Sequence, residues 1–213
     1  MIKAVIFDMD GTIGDTMPLC IGAFRKAIEP LAGRSLSDDE ITSTFGPSEE
    51  GTISALIPEH YEKGLANYLR CYEELHEQYL HPFDGIKDVI EHLKSKGIIV
   101  GIVTGKGRLS ADITLRKYGM ENLFDAIEAG SPDGPRKPEG IKALLERFDL
   151  AADEAVYVGD APSDITAANK AGVPIVSAAW ASTAEKDVLR TMNPDATFES
   201  IDAFGRYITN LIK

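Results

Sequence analysis

The sequence predicts a doubly wound, Rossmann-like α/β core, a parallel sheet with helices on both faces, carrying an inserted all-helical cap domain. Two observations predict the core and a third predicts the insertion. Short apolar runs at 98–103, 155–158 and 173–176 lack polar alternation, which suits strands covered on both faces. Helical patterns alternate with them from residue 85 onward, the order expected of parallel strands joined by crossover helices. Residues 16–81 break that order, with helical patterns and no convincing strand.

The first strand is Val5-Ile6-Phe7, a β-branched and aromatic stretch that runs into Asp8-Met9-Asp10-Gly11-Thr12. Period-2 alternation turns both acids to one side where the strand ends. Carboxylates that close resist sharing a site unless a cation or a proton sits between them. The pair suits a hard metal such as Mg²⁺, with one acid free to attack phosphorus and the other to handle a proton. The plain alternative is a strand ending in an Asx turn.

In the insertion, Cys20, Ala23, Phe24 and Ala27 mark one amphipathic helix, and Leu65, Tyr68, Leu69 and Tyr72 a longer one. Ser37 with Glu40 forms a capping box, and Pro47 opens a further short helix. Open α/β sheets bind ligands beyond the carboxyl ends of their strands, so the insertion is expected over that edge. Its connections, Gly14 to Pro18 and His81 to Gly85, carry Gly and Pro and read as hinges. The organisation expected is therefore a core of 1–15 and 82–213 and a cap of 16–81.

After the insertion, Ile86, Val89, Ile90 and Leu93 fall at helical spacing, with Lys94 and Lys96 in the last turn and Gly97 beyond. Ile141, Leu144, Leu145 and Phe148 repeat that spacing after Pro138. Asp112 to Tyr118, closed by Gly119, and Asp164 to Lys170, closed by Gly172, supply two more helices, the second with Ser163 as a possible cap. Pro174 has to stand at the start of its strand or on an edge. The tail, Phe198 to Lys213, reads as a turn and a terminal helix with Ile201, Phe204, Ile208 and Leu211 inward.

Bulk composition narrows the function. The 213 residues are enough for one sizeable core or a core with a smaller insertion. The net charge of −12, from 22 basic and 34 acidic side chains, argues against nucleic acid or an anionic membrane surface as partner. An anionic substrate then needs a local site such as a bound metal. No apolar run is long enough for a spanning helix and no signal-peptide pattern opens the chain, so the expectation is a cytoplasmic protein. Cys20 and Cys71 are too few and too far apart for a disulfide scaffold or a metal knuckle. His60, His76, His81 and His92 have no metal-site spacing and read as surface or packing residues.

Each predicted core strand delivers a polar group at its carboxyl end. The first gives Asp8 and Asp10. The second ends in Val103-Thr104-Gly105-Lys106, a hydroxyl and a glycine whose amide can approach an oxyanion. Arg136-Lys137-Pro138 stands ahead of a core helix, and Gly159-Asp160-Ala161-Pro162-Ser163-Asp164 adds two more carboxylates. Singly these are ordinary turns and helix starts; together, on one edge of one sheet, they make a site for phosphate chemistry.

The set resembles the haloacid dehalogenase-like superfamily, in the branch with a helical cap after the first motif. The resemblance implies that Asp8 is the nucleophile and forms a transient aspartyl-phosphate, while Asp10 gives a proton to the leaving group and takes one from water. It further implies that Thr104, with Gly105, binds a phosphate oxygen and that Lys137 orients Asp8 and neutralises charge. Mg²⁺ would be held by Asp8, Asp160, Asp164 and the backbone carbonyl of Asp10. Members that cleave carbon–halogen or carbon–phosphorus bonds lack an acid at the position of Asp10, so its presence favours phosphate esters. The third motif often reads Lys-Pro-x-Pro; here it is Lys137-Pro138-Glu139-Gly140, and Arg136 is placed to share the duty of Lys137.

Thr44 to Gly51, with Gly46, Pro47 and Ser48 at its centre, resembles the substrate-facing loop of phosphoglycolate phosphatase-like and pyrophosphatase-like members. Residues 15–83 hold twelve Asp or Glu against five Lys or Arg, and Arg25, Lys26, Arg34, Lys63 and Arg70 are candidates to grip a second anionic group. Trp180 stands near the active edge or in the core. The reading is a phosphatase for a small phosphorylated metabolite, monomeric or homodimeric, with a β-phosphoglucomutase-like sugar phosphomutase or a pyrophosphatase as alternatives on the same scaffold. A different class, a phospho-accepting signalling module, also places acids, a hydroxyl and a lysine at strand ends, but its phosphorylated Asp follows a later strand.

Overall fold

The computed structural model describes residues 1–212. The chain's first strand, β1 (Ala4–Phe7), lies at the centre of a six-stranded sheet in the order β3-β2-β1-β4-β5-β6. The others are β2 (Ile99–Val103), β3 (Ala126–Glu128), β4 (Ala155–Gly159), β5 (Ile175–Ala178) and β6 (Thr197–Phe198), and every pairing is parallel. Strand order reverses between β1 and β4, the crevice where such sheets take their ligands.

The register sets Ala4 beside Ile99 and Ala155, and Phe7 beside Ile102 and Val158. Alternation then sends Val5, Phe7, Val100, Ile102, Val156 and Val158 to one face, against helices α5 (Ile86–Ser95), α6 (Arg108–Tyr118) and α10 (Ile201–Leu211). Ala4, Ile6, Val103 and Tyr157 go to the other, against α7 (Lys137–Arg147) and α8 (Pro162–Ala171). Burial on both faces accounts for strands without polar alternation. Helix α9 (Lys186–Met192) adds Leu189 to a satellite cluster with Ile165 and Ala179.

Several boundaries differ from the sequence reading. The fifth strand starts at Ile175, just after Pro174, whose carbonyl accepts from the Tyr157 amide at 2.9 Å. Helix α6 starts at Arg108 rather than Asp112. Helix α8 starts at Pro162, so Ala161 and not Ser163 is the cap residue, and the Asp164 carboxylate reaches back to the Ala161 amide at 3.0 Å. Leu211 is 36% exposed, against expectation. Three turns of helix advance eleven residues, so Ile212 continues the stripe of Ile201, Phe204 and Ile208 onto the core. Lys213 lies outside the described residues.

Within residues 16–81 the ordered elements are α1 (Met17–Ala32), α2 (Asp38–Thr42), α3 (Glu49–Leu56) and α4 (Tyr61–Leu75), with short 3₁₀ turns at Pro58–His60 and His76–Gln78. They surround an apolar cluster that also takes in Ile113 of α6: Leu19, Ala23, Phe24, Ala27 and Ile28 of α1 meet Ile53, Tyr68 and Tyr72, with Phe24 and Tyr68 ring centroids 4.3 Å apart. The Ser37–Glu40 capping box forms. Helix α3 starts at Glu49 with Ser48 before it, two residues beyond Pro47. No helix of the described residues is long and apolar enough to cross a membrane.

Phe204 tests this core. It is fully buried, edge-on to Phe7 at 6.1 Å and against Trp180 at 5.4 Å. Phe204→Ala is expected to cost about 3–5 kcal/mol in urea unfolding; a loss below about 1 kcal/mol would contradict the packing described.

Candidate active site

Asp8 extends β1 by one residue, its amide donating to the Val158 carbonyl at 2.8 Å. The chain then turns, with the Gly11 amide on the Gly14 carbonyl and the Ile13 amide on the Met9 carbonyl, both at 2.9 Å. Gly11 is required twice over: its φ is +78°, and a Cβ there would stand 2.1 Å from Oδ2 of Asp160. The Thr12 hydroxyl donates to the other Asp160 oxygen at 3.2 Å.

Because the strand has ended, the two leading acids have different partners. Asp8 is buried and meets Lys137, the first residue of α7; Nζ of Lys137 lies 2.7 Å from Oδ2 of Asp8 and 2.6 Å from Oδ1 of Asp164. The Tyr157 hydroxyl is 3.1 Å from the same Asp164 oxygen. Gly159 lets Asp164 sit hard against β4, since a Cβ on it would be 2.4 Å from the Asp164 Cγ. Arg136 does not join Lys137: its guanidinium faces Glu128 at 3.6 Å and the Ala129 carbonyl at 3.3 Å.

Asp8, Asp160 and Asp164 each offer an oxygen within 4.8 Å of the others, with Lys137 the one ammonium among them. Burial, with the charge of Asp164 and against the pull of Lys137, pushes the Asp8 carboxyl up to about 6. Burial and the charges of Asp8 and Asp164 hold Asp160 well above the usual carboxylate range. Burial works to lower Lys137, but the two carboxylates outweigh it and raise it. Oδ1 of Asp8 is buried without a hydrogen-bond partner. Three hard oxygen donors, one unmatched, with a charge deficit that one ammonium leaves open, fit a divalent cation such as Mg²⁺. The Asp10 carboxylate is not in this group, which leaves its backbone carbonyl as its expected contribution.

Instead, Oδ1 of Asp10 accepts from the Thr16 hydroxyl and lies 3.3 Å from Nζ of Lys106. Lys106 was visible in sequence beside Thr104 and Gly105, yet nothing there marked it as buried. Its Nζ is also 3.2 Å from Sγ of Cys20 on α1 and 4.5 Å from the Tyr72 ring centre on α4. Burial works to lower this ammonium and the Asp10 charge, first among its neighbours, outweighs it. Thr104 is buried at the end of β2, its Oγ1 accepting from the Lys106 amide at 3.2 Å.

The loop of Gly46, Pro47 and Ser48 lies on the loops that follow β2 and β3. Gly46 faces Pro135, the Ser48 amide donates to the Ser131 carbonyl at 2.9 Å, and buried Glu49 accepts from the Gly107 amide at 2.6 Å. The five cations singled out within residues 16–81 are elsewhere. Arg25 pairs with Asp38, Lys26 and Arg70 with Glu74, and Arg34 with Glu40, all on the surface, and Lys63 is exposed. His76 is buried between Tyr72 and Tyr118, with Nε2 3.2 Å from the Thr114 hydroxyl; His60 and His81 are exposed. Trp180 serves both expected places, packing on Phe204 while its indole N–H donates to the Thr12 carbonyl at 3.0 Å.

Residues 5–178 match the haloacid dehalogenase-like hydrolase family. The chain belongs to the haloacid dehalogenase-like hydrolases. A relative in Caldanaerobacter subterraneus subsp. tengcongensis, provisionally named pyrophosphatase PpaX, is 32% identical over 202 residues, 94% of this chain and 91% of the relative. Pyrophosphatase PpaX of Bacillus anthracis is 26% identical over 91% of this chain and 90% of its own. Among solved structures, a haloacid dehalogenase-like family hydrolase of Streptococcus pneumoniae superposes with a TM-score of 0.75 at 25% identity, covering 97% of this chain and 98% of that one. A protein of Lactobacillus delbrueckii subsp. bulgaricus, provisionally named phosphoglycolate phosphatase, shares the fold at TM-score 0.74 and 22% identity, with coverage of 97% and 98%.

Both cysteines of this hydrolase are free and buried, and burial pushes the Cys20 thiol up to about 12. Neither thiol of the native protein is expected to react with a disulfide reagent at about pH 8, and both are expected to react after unfolding. Fast labelling of the native protein would contradict the burial of Cys20.

Proposed function

We propose that this hydrolase is a Mg²⁺-dependent phosphatase that cleaves small phosphate monoesters through Asp8. The observation that carries the reading is the Lys137 ammonium shared between Asp8 and Asp164, with an Asp8 oxygen left unpartnered beside Asp160. A carboxylate is a weak nucleophile and a phosphate dianion repels it, so the site must supply positive charge and alignment. Lys137 provides a fixed charge. Mg²⁺, held by Asp8, Asp160, Asp164 and the Asp10 carbonyl, adds the remainder when bound.

In the first half-reaction an Asp8 oxygen bonds to phosphorus as the bond to the leaving oxygen breaks, and Asp10 gives that oxygen its proton. In the second, Asp10 takes a proton from a water that attacks the same phosphorus, releasing phosphate and restoring Asp8. Thr104 and the Gly105 amide serve the phosphate oxygens. Residues 16–81 act as a cap over the core of 1–15 and 82–213, with Gly46, Pro47 and Ser48 toward the substrate, which favours a small metabolite over a phosphoprotein. Cytoplasmic residence belongs to the same reading, supported by two unpaired buried thiols.

A second reading, pyrophosphate cleavage by the same residues, is favoured by the names of the 32% and 26% identical relatives. Release of phosphate is measured from p-nitrophenyl phosphate, phosphoglycolate and pyrophosphate, with Mg²⁺ and with chelator. Metal-dependent release from the esters, abolished in Asp8→Asn, is the expected result; release from pyrophosphate alone would select the second reading. A sugar phosphate isomerised without release would select the mutase. Lys137→Ala is expected to lower kcat by about 100-fold or more, and near-native turnover would remove Lys137 from the mechanism.

A further inference from the structure

The phosphatase reading leaves the buried charge of Lys106 unused. Lys106 has a side chain only 2% exposed, and burying an ammonium is costly unless its partners are well placed. Its neighbours come from three parts of the chain: Asp10 from the turn after β1, Cys20 from α1 and Tyr72 from α4. Buried ion pairs replaced by apolar side chains of similar volume often leave stability unchanged or improved, so a lysine kept here points to a task other than holding the fold.

The contacts on Asp10 indicate that task. Lys106 and the Thr16 hydroxyl both meet Oδ1, and the Cys20 sulfur lies 3.8 Å from that same oxygen. With Oδ1 held from several sides, Oδ2 remains to carry a proton, and its direction is fixed by the way Oδ1 is held. Proton transfer and in-line chemistry lose rate steeply when a group shifts by about 1 Å. We propose that Lys106 is a positioning residue that aims the Asp10 carboxylate for proton transfer, and does so when α1 and α4 are seated against the core. The inference rests on the phosphatase reading and adds a residue and a condition to it: lifting α1 and α4 removes Cys20 and Tyr72 from the ammonium and lets water in beside Asp10.

The test uses the dependence on the leaving group. A p-nitrophenolate departs without needing a proton, whereas an alkoxide must be protonated as its bond to phosphorus breaks. Values of kcat/KM are compared for p-nitrophenyl phosphate and for whichever of phosphoglycolate, glycerol 3-phosphate and glucose 6-phosphate the native enzyme cleaves fastest. General acid catalysis is typically worth ~10²–10⁴-fold. Lys106→Met is therefore expected to lose about 10-fold more on the alkyl ester than on the aryl ester, with a thermal melt showing that it folds. If that variant does not fold, Lys106→Gln, which keeps a shorter neutral donor, is expected to show the same skew. Equal losses on the two esters, or none, would overturn the inference, as would a native enzyme that cleaves the aryl ester alone. A native enzyme silent on every ester would overturn the phosphatase reading and this inference with it, and the native rate alone tells the two failures apart.

Discussion

One ammonium group among three carboxylates organises the carboxyl edge of this sheet. Lys137 is half-buried between the buried carboxylates of Asp8 and Asp164, and removing one member of a buried pair typically costs ~3–5 kcal/mol because the remaining charge is left without compensation. Around it the backbone gives way. Residue 159 has no side chain, so Asp164 can close on β4, and residue 11 has none, so Asp160 can enter from the neighbouring strand. The crevice between β1 and β4 thereby concentrates negative charge at the one place where the sheet topology opens a cleft. A protein of net charge −12 can attract an anion only where a cation locally reverses that field.

The contact between α1–α4 and the core is of a different kind from either interior. The helices have their own apolar cluster, and the sheet has two. Ile113 of α6 reaches into the helices' cluster, but most of what lies between them is polar: Lys106 against Asp10, Glu49 on the Gly107 amide, and Tyr72 and His76 on the Thr114 hydroxyl. Oγ of Ser48, Oε1 of Glu49, Nδ1 of His76 and the Tyr118 hydroxyl find no partner there. A polar contact with unmet groups holds less firmly than an apolar one of equal area. The polar seam is therefore a weaker joint than either apolar interior.

How far the sequence could be read depended on whether a feature was local. Strands β1, β2 and β4 announced themselves as unbroken apolar runs, with acids and Thr104 beyond their ends and Lys137 at the start of a core helix. Strands β3 and β6 are three and two residues long, and neither Ala126-Ile127-Glu128 nor Thr197-Phe198 carries a pattern to detect. Lys106 was hidden for another reason. Its burial comes from Cys20 and Tyr72, far away in the chain, and no window around Thr104 contains that fact. The same holds for Arg25, Lys26, Arg34 and Arg70, which look free in sequence and are taken up by nearby acids on the surface. The signalling-module alternative had the right residue types, but the family match and the acid pair on the first strand set it aside.

The central place of β1 has a consequence for how the enzyme comes into being. Of the strands of this sheet, β1 comes first in the chain, and it pairs with residues 99–102 on one side and 155–158 on the other. Until both have been synthesised, the strand that bears Asp8 is an unpaired apolar edge, and contacts so distant in the chain form slowly. The helices of residues 17–75 can meanwhile collapse on their own cluster. Assembly of the sheet therefore runs against chain order: its first strand is among the last to be seated, and no fragment ending before β4 can have β1 paired on both sides.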